Sequence, residues 1–194
     1  NNIAIGNKAL SEKLTSATYN IALGVNAGLC ISTGHANVNI GYLAGCANVD
    51  ALCNVAIGYA AGSMNGTGDH NVYLGTDAGK SDTTSNGSGN TANNNVAIGC
   101  HAGYVLTTGE ENVLLGHNAG DALTTGSQNV VIGRNAASEL TTANQGIFIG
   151  EKAGQYRQTG NNSIFMGLYA GSGSSTPANN TASANIGIGY HAAK

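Results

Sequence analysis

The chain has 194 residues, 41% of them hydrophobic and only 9% charged, with a formal net charge of −3. That balance leaves no basic footprint for nucleic acid and no polybasic patch for a membrane surface. No run approaches the roughly 20 apolar residues of a membrane span, no signal peptide opens the chain, and apolar residues are too plentiful and too regularly spaced for disorder.

From the first residues onward one phrase returns. NIALGVNAG begins at Asn20, NVAIGYAAG at Asn54, NVYLGTDAG at Asn71, NVAIGCHAG at Asn95, NVLLGHNAG at Asn112 and NVVIGRNAA at Asn129. Each phrase is anchored on the glycine that ends N-x-x-[IL]-G. The first five anchors are Gly6, Gly24, Gly41, Gly58 and Gly75, and then SDTTSNGSGNTANN (81–94) intervenes. Five more follow, Gly99, Gly116, Gly133, Gly150 and Gly167, before SGSSTPANNTASA (172–184) and the last anchor, Gly189. The unit is 17 residues, present eleven times, with two insertions of seven and five residues. Residues 1–194 therefore read as a single repeat domain. Its first residue is Asn rather than Met, which reads as a piece of a longer protein.

The columns within the unit define the elements. Three before the anchor stands Ile or Val, and one before it Ile, Leu or Met, in every unit; three after it stands Ala without exception. A short β-branched run with glycine on both sides predicts a strand rather than a helix. VLTTG (105–109) and ALTTG (122–126) suggest a second short strand or extended edge in each unit. One such strand cannot bury its apolar face alone, so successive units must stack in register as a solenoid. The fold class expected is all-β: a parallel β-solenoid of eleven 17-residue coils, about 50 Å long at ~4.8 Å per coil.

Stacking gives each column a cause. The asparagines that open the phrase (Asn20, Asn37, Asn54, Asn71, Asn95, Asn112 and Asn129) would form a structural ladder of amides. The alanine marks a tight end of the coil, and the glycine after it a turn. Residues three and one before the anchor share a parity and are expected to face the core. The residue between them should then point outward. Over successive units it includes Leu114, Val131, Phe148 and Phe165, an apolar stripe expected to form a chain–chain interface.

These columns resemble the head repeats of trimeric autotransporter adhesins (YadA-like heads), and still more the NVAIGxxAGxxLTTG repeats of viral and phage tail fibres. The near-perfect match is Asn95–Gly109, NVAIGCHAGYVLTTG, and the likeness extends over essentially the whole chain. The resemblance implies a left-handed β-roll, three chains about one axis, a location outside the cell or on the virion surface, and attachment to a host. The adhesin heads repeat at a shorter period than 17.

Residues for chemistry are scarce. Ten Asp and Glu recur in no fixed column, and Glu110 and Glu111 fall in a turn. No nucleophile elbow, phosphate loop or calcium repeat occurs. The expectation is no enzyme, no catalytic residue and no cofactor. His101 and His117 lie within a coil or two of each other but in variable positions, so no metal is expected. Cys30, Cys46, Cys53 and Cys100 form no CxxC pair, although coil spacing would admit a Cys30–Cys46 disulfide. The insertions are the natural place for a receptor or glycan contact. The function expected is a stiff fibre segment, itself a homotrimer, with no nucleic-acid partner and no membrane insertion. The alternatives are an end-to-end filament subunit, or an ice-binding solenoid using Thr107, Thr124 and Thr141 with Thr108, Thr125 and Thr142 beside them.

Overall fold

A computed structural model describes residues 1–12, 15–81, 91–173 and 181–193. Most of both insertions, including Asn86, Pro177 and Asn179, therefore lies outside the described residues. Among those described, the regular elements are eleven three-residue strands and no helix: β1 (Ile3–Ile5), β2 (Ile21–Leu23), β3 (Val38–Ile40), β4 (Val55–Ile57), β5 (Val72–Leu74), β6 (Val96–Ile98), β7 (Val113–Leu115), β8 (Val130–Ile132), β9 (Ile147–Ile149), β10 (Ile164–Met166) and β11 (Ile186–Ile188). They form one parallel sheet in chain order. Register follows the repeat: Val113 pairs with Val130, Leu114 with Val131 and Leu115 with Ile132. Neither seven nor five extra residues disturb it, since Val72 pairs with Val96 and Ile164 with Ile186. The molecule is a parallel β-solenoid.

The orientation of the strands reverses the expectation from sequence. The middle residue of each strand points into the coil, and its two neighbours point out. Leu114, Val131, Phe148 and Phe165 are all fully buried, with the Phe148 and Phe165 rings 5.9 Å apart inside the coil. They form no outer face and cannot be a chain–chain interface. Val113, Leu115, Val130 and Ile132 are only half-buried, and Leu74 and Met166 are exposed. The reason is room. A three-residue strand sends one side chain to one face and two to the other. Opposite the strand runs the turn after the anchor, whose alanines (Ala102, Ala119, Ala136, Ala153) are fully buried against the strand's middle residues. That narrow gap admits one column, not two.

The turn explains both glycine columns. The anchor has φ near +130°, and a Cβ on Gly116 would stand 2.7 Å from the Gly133 carbonyl oxygen of the next coil. Four after the anchor, glycine has φ near +56°, and a Cβ there would strike the inward side chain: Gly79 against Tyr73, Gly154 against Phe148. Where this residue is Ala137 instead, the inward residue of the same coil is Val131; where it is Leu10, the inward residue is Ala4. Small opposite large keeps the interior filled.

The chain then turns an apolar residue inward seven after the anchor (Ile31, Leu106, Leu123, Leu140). The TTG segments that follow are bends, not strands. The N–H groups of Thr107, Thr108 and Gly109 all converge on the Thr124 carbonyl, which leaves no ladder to propagate.

Asparagine closes the coil. The Asn129 N–H and Nδ2 both donate to Asn112 Oδ1 at 3.0 Å, and Nδ2 also donates to the Ala143 carbonyl, 14 residues on, at 2.7 Å. Asn20, Asn37, Asn54, Asn71, Asn95 and Asn112 make the same clip to a backbone carbonyl at the end of their own coil. The ladder therefore joins coil to coil and seals each coil. At Gly146 the side chain is missing because Phe148 takes its space, yet the Gly146 N–H still reaches Asn129 Oδ1 at 2.9 Å.

Candidate functional site

With the middle residues inside, the outward columns of the sheet make one continuous strip of Ile, Val, Leu and Met. It runs the length of the eleven strands, two side chains wide, ~50 Å long with ~7 Å between columns. Each residue pairs in register with its equivalents in the coils above and below. Exposure rises to 53–65% at Ile3 and Ile5 and 68–70% at Ile186 and Ile188. Between those ends the strip is half-buried, apart from Leu74 and Met166 at 41% and 37%, and a continuous apolar stripe of this kind is a candidate association surface.

The residue just after the anchor borders this strip and varies along it, from the apolar Val25, Tyr42 and Tyr59 through His117, Arg134 and Glu151 to the exposed Leu168 and Tyr190. In the early coils Val25, Tyr42 and Tyr59 are exposed, and the two tyrosine rings stack at 5.3 Å, so the strip widens to three apolar columns. Further along, the same position carries His117, Arg134 and Glu151, and Arg134 Nη2 donates to Glu151 Oε1 at 3.0 Å. That ion pair is exposed and contributes little stability, but it gives the strip a polar border.

A polar group spans coils five to eight on the turn edge. Asp77 meets Lys80 Nζ at 3.1 Å and His101 Nε2 at 3.4 Å, and the His101 and His117 rings lie 6.5 Å apart. Sequence spacing anticipated that two-histidine proximity. No group of three His, Cys, Asp or Glu among the described residues is placed to hold a metal ion. Asp121 stands in the same edge, and its carboxyl is pushed up to about 6, chiefly by burial, with Glu139 adding to the shift. No nucleophile–base pair accompanies it.

The cysteines are free thiols. Burial lifts Cys46 to about 11 and also raises Cys30, whose Sγ lies 3.6 Å from Glu12 Oε2. Both are therefore poor nucleophiles at neutral pH. Threonines form one exposed file, not two. Thr107, Thr124 and Thr141 are half-buried and donate their hydroxyls to the next coil's backbone at 2.9–3.1 Å, leaving Thr108, Thr125 and Thr142 outside. Of the Asn-x-Ser/Thr triplets in the described residues, Asn65 is buried and its amide is bonded to Gly68 and Tyr73, whereas Asn161 is exposed.

Sequence reasoning missed Arg157. It occupies the inward position that holds leucine in other coils, stacks on Phe165 at 4.3 Å, and donates to the Gly171 and Ala182 carbonyls at 3.0 and 3.2 Å. It thereby fastens the chain where the second insertion returns. Its charge in a leucine column was the available signal.

Comparison with protein-family models, with curated proteins and with solved structures finds no match for the chain. No helix among the described residues is long and apolar enough to cross a membrane.

Proposed function

We propose that the protein is a structural fibre segment that works as a homotrimer: a stiff rod presenting its loops in three copies for attachment to a host or other surface, outside the cell or on a virion. The observation that carries this reading is the outward two-column strip of Ile and Val. Removing its apolar side chains from water favours association. The strip is straight and repeats every coil, so an identical strip on another copy matches it along the whole length. Rotation about an axis parallel to the rod brings three such strips together as readily as two. The rod lends stiffness, and three copies of each loop sum weak contacts through effective concentration. The resemblance of Asn95–Gly109 to tail-fibre and YadA-like repeats points the same way. No catalytic step enters this reading.

The test is the mass in solution. The wild-type chain should sediment at three times 19.3 kDa. In the variant Ile98→Lys/Leu115→Glu/Ile132→Lys, signs alternate between neighbouring coils, so the sheet tolerates the charges while a partner strip does not. That variant should run as a monomer with unchanged far-ultraviolet circular dichroism. A monomeric wild type at micromolar concentration overturns the proposal.

A further inference from the structure

Among the described residues, the third coil alone carries an amide at both inward positions. Where the neighbouring strands put Ala22 and Ala56, β3 directs Asn39 into the core, fully buried. In the same coil Asn48 takes the inward position held elsewhere by Ile31, Leu106, Leu123 and Leu140, and is also buried. Neither amide belongs to the ladder. Asn39 Nδ2, Asn39 Oδ1 and Asn48 Oδ1 make no hydrogen bond within the chain.

Both amides converge on Gly45. A Cβ there would collide with Asn39 Oδ1 and stand 2.9 Å from Asn48 Nδ2. On the other side, Asn39 Nδ2 lies 3.3 Å from where a Cβ of Gly28 would be. Next door, Asn65 shows the satisfied version: its Nδ2 donates to the Gly68 carbonyl at 2.7 Å and its Oδ1 accepts from the Tyr73 hydroxyl at 3.2 Å. In the strand column Asn39 stands between Ala22 and Ala56, and Leu10 and Ile31 lie around Gly28 on the Nδ2 side, so apolar groups flank it. An unmade amide bond in that buried place is costly.

We propose that the coil holds an internal water site between Asn39 and Asn48, closed off by Gly28 and Gly45. One water donates its two hydrogens to Asn39 Oδ1 and Asn48 Oδ1, and a second accepts from Asn39 Nδ2. The set of unmade bonds selects the occupant. It mixes a donor with two acceptors, which suits a molecule that both donates and accepts; a bare cation would be repelled by the Nδ2 hydrogens. Elsewhere the inward polar groups Asn65, Tyr73 and Arg157 find partners within the chain, and the third coil would find its own in water.

The experiment counts long-lived waters by oxygen-17 magnetic relaxation dispersion on the full chain. The comparison is wild type against Asn39→Leu/Asn48→Leu, which installs the residues found at these positions in the seventh coil (Leu114 and Leu123). Wild type should hold at least one more long-lived water per chain, and water-to-amide Overhauser contacts should reach the Asn39 side chain and the Gly45 N–H. Equal counts overturn the proposal. Should the double variant fail to fold, Asn48→Leu alone carries the same comparison. A melting temperature that follows the identity of the monovalent cation, sodium against potassium at fixed ionic strength, would assign the site to a metal ion and equally overturn it.

Discussion

Asn112 shows what one side chain does in this coil. Its Oδ1 accepts from both the N–H and the Nδ2 of Asn129, and its own Nδ2 donates to Gly126 and Asn95, at 2.9–3.0 Å and wholly out of water. Asn112→Ala leaves the buried Asn129 N–H and Gly126 carbonyl unpaired, a loss of about 3 kcal/mol, seen as a lower urea midpoint. Asn144 also accepts from a neighbouring coil, through Ser127 N–H at 2.8 Å, but at the exposed corner. Asn144→Ala should cost less than about 1 kcal/mol because water replaces the lost bond. Asp121 answers to pH instead. Its folded carboxyl titrates at about 6 against 3.8 in the unfolded chain, so between those values the folded protein binds the extra proton. Stability must therefore rise as pH falls through 6. The melting temperature should increase from pH 7.5 to 5, and by less in Asp121→Asn, the comparison cancelling the contributions of His101, His117 and Glu139 nearby. An equal increase in the variant would remove Asp121 as the source.

Within a coil, strand and turn are fitted to each other through one pair of positions. Gly154→Ala forces a methyl group into the Phe148 ring and should destabilise by about 2–3 kcal/mol. Phe148→Val alone opens a cavity and costs a similar amount. Together they rebuild the Val131 and Ala137 pairing of the preceding coil, so the double variant should lose at least about 1 kcal/mol less than the sum of the singles. An additive result would mean that the two positions do not share space. Charge at the same place is worse: Phe148→Asp should unfold the coil rather than separate chains. Much of this element was legible in the text. Identical letters at a fixed period announced the stack, its strands, its tight alanines and its asparagines, because stacked coils place like on like. The facing of the strand was not. Alternation separates two faces but cannot say which is inside when both are apolar, and Leu114 or Phe148 reads as core or as contact equally well. The deciding signal lay six residues away, in a near-constant glycine that leaves room for the inward side chains of its own and the next coil, and it becomes meaningful only once the turn is known to cross the strand. The TTG segments misled for a related reason: their spacing suits a strand, but three N–H groups sharing one carbonyl do not.

Over the whole rod, each coil touches only its neighbours, so stability should behave as a sum over coils and their junctions. Deleting 112–128, one full period, preserves every column. The shortened chain should keep its circular dichroism and unfold cooperatively with a lower melting temperature. A one-residue change in a loop is absorbed, as in the 18-residue step that still pairs Ile3 with Ile21, but deleting Leu114 within β7 turns Leu115 inward, breaks the pairing at that coil, and should cost the chain its cooperative unfolding. If both deletions behaved alike, stacking in register would not be what holds the molecule. Assembly belongs to this scale as well, because a strip this long gains from partners only when all its coils are aligned.

Ser81 and Gly173 each stand six residues beyond their anchors, and Thr91 and Thr181 each eight before the next, so the two insertions fall at equivalent places in the repeat. Both insertions therefore open on one edge of the rod, five coils apart, or roughly 24 Å at the spacing of stacked strands. The fold acts as a ruler. The separation of the two insertion points is set in steps of ~4.8 Å, and gain or loss of a seventeen-residue unit between them would change that separation without altering either segment.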